Sequence, residues 1–376
     1  MNEVSIVVIV LIFIFAFVFS PDNQKNRGIS ENVLRKRYII IICSILTLQS
    51  ALRNVGVGAD TYTYQMSFER TLSIHWDAIF KNFINVYVNK EGKDAGYNLL
   101  EKIFQLFSTE YRVFLFFIAI VFFTAFGRFL YKNTSRISDV MFAFVLYMAL
   151  FYGFFSITGL RQTLATACAL WGFEYIKQKK LWKFTLIILA AAFLHKSVLI
   201  FLPYYFIANI KKTRAIYFGV LLFLPFLFML KDQIMHFIII TTGSYEEYLH
   251  GLKGAGTYTF TTLFLLVYIM GAIYIKKILK KHPESYRFYN ALSIAVLFIP
   301  LTYIDPNAMR AVQYFSVFLM LFIPICIDSI AVQKNNRQII FVIAITILIV
   351  LVIKTQGEYK FMWQEMPLDP NYIPDL

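Results

Sequence analysis

No charged residue occurs from Val4 to Ser20, and apolar stretches of similar length recur along the whole chain. Such runs approach the roughly 20 residues that a helix needs to cross a bilayer. That requirement constrains this chain more than any other feature. Hydrocarbon offers no water to exposed backbone groups, so each run must satisfy its own hydrogen bonds and reads as a helix. Composition agrees. Of 376 residues, 59% are hydrophobic and 15% charged, whereas soluble domains carry about 25% charged residues. Disorder is excluded, because it requires low hydrophobicity. An ordinary soluble domain is excluded too, because it could not cover so much apolar surface. The expected fold class is all-α, a polytopic membrane protein forming one integral membrane domain over 1–376.

The net charge of +14 would suit nucleic acid, but the basic residues stand between the apolar runs. That placement is an orientation signal, with Lys and Arg marking cytoplasmic loops, and no nucleic-acid partner is implied. Helices are expected at about 4–20, 38–55, 113–131, 138–157 and 162–177, then 214–230, 257–275, 288–304, 309–332 and 338–354. Lys25, Arg35, Lys36 and Arg37 place the first loop inside. Both termini then fall outside, as do a long segment at 56–112 and a second at 231–256. The first run has only Glu3 before it and no basic residue, so it reads as a retained helix rather than a signal peptide.

The stretch 181–210 is one apolar run broken only by His195-Lys196-Ser197, with lysines on both flanks. Both flanks read as cytoplasmic, so an even number of crossings is expected. Each half covers only about 21 Å, short of the roughly 30 Å core. A hairpin of two short helices with His195 at its tip resolves this and brings the expected total to twelve helices. Within 56–112, Trp76, Ile79, Phe80, Phe83, Ile84 and Tyr87 fall on one helical face. Leu100, Ile103, Phe104 and Phe107 repeat the pattern, giving two amphipathic helices for the outer membrane surface.

Cys43, Cys168 and Cys326 sit inside apolar runs without ligand spacing and read as inert thiols. No glycine-rich phosphate loop or paired-aspartate motif stands in an inner loop, so no metal or cofactor is expected.

Charges within spans are costly, by about 2.5–3.5 kcal/mol each, so the misplaced ones are informative. Arg53, Asp60, Arg161 with Gln162, His195 and Arg310 come from separate regions, yet the topology puts all of them at the outer face. Each has a bland reading. The arginines can snorkel to headgroups, and Asp60 can cap a helix. His195 can be a satisfied turn residue, while Tyr62, Tyr64 and Tyr97 can belong to an aromatic belt. Their convergence favours another reading. Arginines around one cavity suit phosphate oxygens, which guanidinium binds in a fork. A carboxylate and a histidine beside them suit proton abstraction from a hydroxyl. An anion with an apolar tail at the outer leaflet describes a polyprenyl-diphosphate lipid.

Gly159-Leu160-Arg161-Gln162-Thr163-Leu164-Ala165, followed by Ala192-Phe193-Leu194-His195-Lys196-Ser197, resembles the EpsG family of Wzy-like exopolysaccharide, capsule and O-antigen polymerases. Gly58-Ala59-Asp60-Thr61-Tyr62 fits the same pattern, as does Asp94-Ala95-Gly96-Tyr97, where Ala95 replaces the family's proline. Arg310 with Tyr314 and Phe315 is similar to its late arginine-aromatic segment. The resemblance implies a metal-independent glycosyltransferase. It would transfer a growing glycan from its polyprenyl diphosphate to a hydroxyl of the next lipid-linked repeat unit, at the outer face of the bacterial inner membrane.

In that reading Arg161, Arg310 and Arg53 hold the diphosphate, and Asp60 or His195 is the base. Gln162, Tyr62 and Tyr97 orient substrate. The partners are the polyprenyl-diphosphate-linked oligosaccharide, membrane lipids and a chain-length regulator protein. The competing readings are a lipid-linked oligosaccharide flippase or transporter and a membrane glycan ligase or acyltransferase.

Overall fold

The computed structural model describes residues 3–26, 28–58, 60–89, 95–242, 258–330 and 334–366. Among them the chain is helical and contains no strand. It divides into two units, one of Met1–Tyr175, Trp182–Leu199 and Ile343–Leu376, the other of Ile176–Leu181 and Ile200–Val342.

The first unit begins with α1 (Glu3–Val18) and α2 (Glu31–Ala51), continues through three short helices, α3 (Thr61–Ser73), α4 (Trp76–Tyr87) and α5 (Ala95–Phe104), and then α6 (Tyr111–Asn133), α7 (Ile137–Leu150), α8 (Leu160–Lys177) and α9 (Leu181–Leu194). Its main seam joins α2 to α6, where Gly127 meets Cys43 and Ile39. The α6–α7 contact is aromatic. Phe126 stands 5.2 Å from the Tyr147 ring, and the Tyr147 hydroxyl pairs with Ser156 Oγ at 2.7 Å. Ser156 lies in a π-helical turn, Gly153–Thr158, so the helix expected to 157 is α-helical only to Leu150 and reaches Thr158 as a π-helix. Downstream of residue 343, the tail returns to the end of α2. Asn54 N donates to Lys360 O at 2.8 Å, Met362 N to Leu52 O at 2.8 Å, and Arg53 bridges Phe361.

The second unit holds α10 (Tyr204–Ile207), α11 (Thr213–Met229), α12 (Lys231–Thr242), α13 (Tyr258–Lys281), α14 (Tyr286–Phe298), α15 (Met309–Ser316) and α16 (Leu319–Ile330). Tyr217 stacks on Tyr268 at 3.7 Å, and the Tyr268 hydroxyl pairs with Ser293 Oγ at 2.9 Å. Buried Asp328 draws Lys281, His282 and Arg337 to within 2.7, 3.1 and 3.2 Å. Arg337 opens α17 (Lys334–Thr355), whose later residues belong to the first unit.

Among the described residues three helices are long and apolar enough to cross a membrane: α6, α13 and α17 from Asn335. Two bent pairs raise this to five, α11 with α12 at 80° and α15 with α16 at 52°. The expected single helix at 309–332 is therefore broken at Val317-Phe318, and the start of the second outer segment is helical; 243–256 lies outside the described residues. The run 181–210 does break at His195, but its second arm is a 3-10 stretch, Lys196–Phe201, with α10 as a single turn. Two matched helical arms are not what it forms.

Candidate functional site

All of the site below lies in the first unit. It begins with a rotation of α5 relative to the expected amphipathic face. Residues 97, 100, 101 and 104 fall within about 100° of each other on a helix. Tyr97 is buried in a cluster with Phe68, Tyr111, Phe114, Leu115, Ile118, Leu160 and Leu164, and Leu100 and Phe104 pack against it. Ile103 and Phe107 point out, the latter 83% exposed. The stripe therefore packs on α3, α6 and α8, and it contains a carboxylate, Glu101.

Leu160 and Leu164 anchor the first turns of α8 in that cluster and thereby fix Arg161 beside it. Arg161 is half-buried. Its guanidinium lies 5.6 Å from the Tyr64 ring and 6.0 Å from the Tyr97 ring, and Nε donates to the Tyr64 hydroxyl at 3.5 Å. Tyr64 and Tyr97 meet edge to face at 5.9 Å. Stacking of this kind fixes the plane of an arginine without consuming its charge.

Glu101 is fully buried. Its Oε2 lies 3.3 Å from Ser67 Oγ and 3.2 Å from Thr71 Oγ1, and its Oε1 is buried with no hydrogen-bond partner among the described residues. The one Thr71 hydroxyl proton already reaches Ser67 O at 2.8 Å, so the contact with Glu101 is best met when the carboxyl carries the proton. Burial accordingly pushes this carboxyl up to about 7, against the lowering pull of Thr71, Ser67 and the Arg161 charge. A carboxyl raised in the folded state stabilises the fold fully below its ordinary value of 4.5, and that contribution is lost as pH rises through about 7. Stability should fall by about 3 kcal/mol across that window. Chemical unfolding in detergent between about pH 5 and pH 8 should show the slope in the wild type and its loss in Glu101→Gln. Equal slopes would reject a protonated Glu101.

The His195 turn reaches the same cluster through Leu194. A Cβ on Gly96 would lie 2.2 Å from Phe193 O, so α5 starts in direct backbone contact with the end of α9. The Tyr87 hydroxyl seals this junction, donating to Phe193 O at 2.6 Å and accepting from Gly96 N at 3.2 Å. His195 is 9% exposed and its backbone closes α9 through Ala191 O. Lys196 Nζ lies 5.8 Å from the Tyr87 ring. The structure thus gathers Arg161, Tyr97 and the His195 turn around one cluster.

The other expected residues fare differently. Arg53 does not close α2, which ends at Ala51. It is 2% exposed, and its guanidinium donates to Ser50 O and, at 3.1 Å, to Ile157 O. It answers carbonyls left open by the end of α2 and the π turn, while its Nε is buried with no hydrogen-bond partner among the described residues. Asp60 sits at the start of α3, exposed and without a side-chain capping bond. Gly58 before it has φ +92°, which a side chain rarely adopts, and its Cβ would meet Ile157 Cγ2 at 2.3 Å. Ala59 and Asp94 lie outside the described residues. Tyr62 is half-buried; the tyrosine on Arg161 is Tyr64, two residues further along α3. Gln162 is buried beside Arg161. Arg310 belongs to the second unit, half-buried in the first turn of α15, after Asp305, whose Oδ1 accepts from Asn307 N at 2.7 Å.

Sequence reasoning missed Glu101. Its signal was a carboxylate one turn after Tyr97 within an apolar stripe.

No curated protein and no solved structure matches the chain. The model of the EpsG family does, over residues 36–366, which takes in α2, the π turn, the α8 start and the His195 turn. The chain belongs to the EpsG family.

Proposed function

We propose that this protein is a polytopic inner-membrane polysaccharide polymerase that joins polyprenyl-diphosphate-linked oligosaccharide repeat units at the outer face. The observation that carries this reading is Arg161, held by two tyrosine rings at the start of α8 beside the buried Glu101, whose carboxyl burial pushes up to about 7. In this reading the planar fork of Arg161 binds the diphosphate and stabilises charge developing on the leaving group. Glu101 is wholly enclosed, so it acts on Arg161 and does not itself meet substrate. His195 or the exposed Asp60 would take the proton from the acceptor hydroxyl, with Gln162, Tyr62 and Tyr97 orienting the sugars. Arg310 is kept as a further anion-binding candidate on its sequence pattern alone. Membership of the EpsG family supports a polymerase-like activity. A multi-span topology with both termini outside, and a chain-length regulator as partner, belong to the same proposal.

The test is reconstitution of the purified protein with a defined lipid-linked repeat unit and no nucleotide sugar. The expected product is a ladder of oligomers with release of polyprenyl diphosphate. Movement of the lipid between leaflets without any new glycosidic bond would replace this reading with a flippase. Transfer of a single glycan to a different acceptor would replace it with a ligase.

A further inference from the structure

A groove of about 790 Å³ runs along the outside of the α2–α6 seam in the first unit. It exists because the seam is lined there by small residues. Ser44 and Thr47 on α2 and Thr124 and Gly127 on α6 leave a furrow between the larger Ile39, Ile40, Leu48, Phe116, Ile120 and Phe123. The Ser44 and Thr47 hydroxyls donate to their own helix, to Ile40 O at 2.9 Å and Cys43 O at 2.8 Å. They therefore ask nothing of an occupant, and the furrow is apolar in effect. From Phe116 to Lys132 it follows α6 for about 24 Å, most of the roughly 30 Å hydrocarbon core. Its volume falls within the roughly 300–1,000 Å³ of ligand sites.

One end differs in chemistry. Lys36, Arg128 and Lys132 line it together, with Tyr131 and Trp171 beside them and no acidic residue among the lining side chains. Arg128 is stacked 4.7 Å from the Trp171 ring, which gives its guanidinium a defined position. Lys36 lies in the second turn of α2 and Lys132 in the last turn of α6, and both lie in stretches whose basic residues mark the cytoplasmic side in the orientation reading. A three-cation head on an apolar furrow of acyl-chain length is complementary to one molecule of anionic phospholipid.

We propose that this groove is a site for an anionic phospholipid of the cytoplasmic leaflet, its phosphate on Lys36, Arg128 and Lys132 and an acyl chain along Thr124 and Ile120. It goes beyond the polymerase reading and rests on the chain residing in a bilayer with the orientation its basic loops give. It stabilises the α2–α6 seam from outside, at the end away from the candidate site.

Trp171 supplies the reporter. In the full chain carrying Trp76→Phe, Trp182→Phe and Trp363→Phe, only Trp171 fluoresces. The protein is placed in phosphatidylcholine vesicles, and brominated-acyl phosphatidylglycerol or brominated-acyl phosphatidylcholine is titrated in. Half-quenching by the anionic lipid is expected at about tenfold lower mole fraction. In Lys36→Gln with Lys132→Gln, which leaves the Arg128–Trp171 stack in place, the preference should shrink to within about twofold. Equal curves for the two lipids in the wild type would overturn the site. So would unbrominated polyprenyl diphosphate relieving the quenching more effectively than unbrominated phosphatidylglycerol, which would make the groove a substrate site.

Discussion

Arg161→Ala is expected to abolish polymer elongation while the protein still inserts at the wild-type level. The side chain is half-buried and rests on Tyr64 and Tyr97, but the α8 start is anchored by Leu160 and Leu164 and would survive the loss. What disappears, in the proposed mechanism, is the charge facing the leaving diphosphate. Removing one such preorganised donor lowers turnover by about 10²–10³-fold, enough to leave single repeat units where the wild type gives a ladder. Arg161→Lys keeps the charge without the planar fork and should retain a minor, shortened product. The readout is glycan laddering on gels beside a blot for membrane-inserted protein. A normal ladder from the alanine variant would remove Arg161 from the mechanism.

The second large effect is structural. Gly96→Ala would put a methyl group 2.2 Å from Phe193 O and 2.6 Å from Phe193 C. Both are backbone atoms, so no rotamer relieves the clash and α5 must move off α9. Ordinary overpacking costs about 1–3 kcal/mol, and this contact belongs at the upper end or beyond, because the Tyr87 bridge to Gly96 N and Phe193 O breaks with it. The thermal midpoint in detergent should fall sharply, and activity should fall with it as Tyr97 and the His195 turn separate. Tyr87→Phe loses only the bridge and should cost about 1 kcal/mol. If Gly96→Ala matched the wild type in stability, the α5–α9 junction described here would be wrong.

The apolar runs announced the long elements well. α1, α6, α8, α11, α13 and α17 stand close to where hydropathy puts them, because a helix is the simplest way to satisfy a backbone in hydrocarbon. Breaks inside apolar stretches were silent. The bend between α15 and α16 falls at Val317-Phe318, residues as hydrophobic as their neighbours, and hydropathy does not register a change of direction; the π turn after α7 brings Gly153, Ser156 and Thr158 into an apolar run without ending it. In the site, Arg161 and His195 stood out as polar residues in apolar surroundings. Glu101 was hidden because 95–107 read as a surface helix, where a glutamate is unremarked. Only packing turned it inward. Arg53 shows the converse. Sequence shows a charge at a helix end and does not show that two main-chain carbonyls have already claimed it.

The pairing of the tail with the end of α2 also has a consequence for biogenesis. Leu52 and Asn54 find their main-chain partners at Lys360 and Met362, about three hundred positions later in synthesis. The Tyr359 hydroxyl likewise reaches Gln49 O, at 2.6 Å. A nascent chain therefore carries the loop leading to α3 with open backbone groups until residues 359–362 have been made and have emerged. The ground on which Gly58 and Asp60 stand therefore sets late, so a chain truncated before residue 359 would carry that loop unfastened.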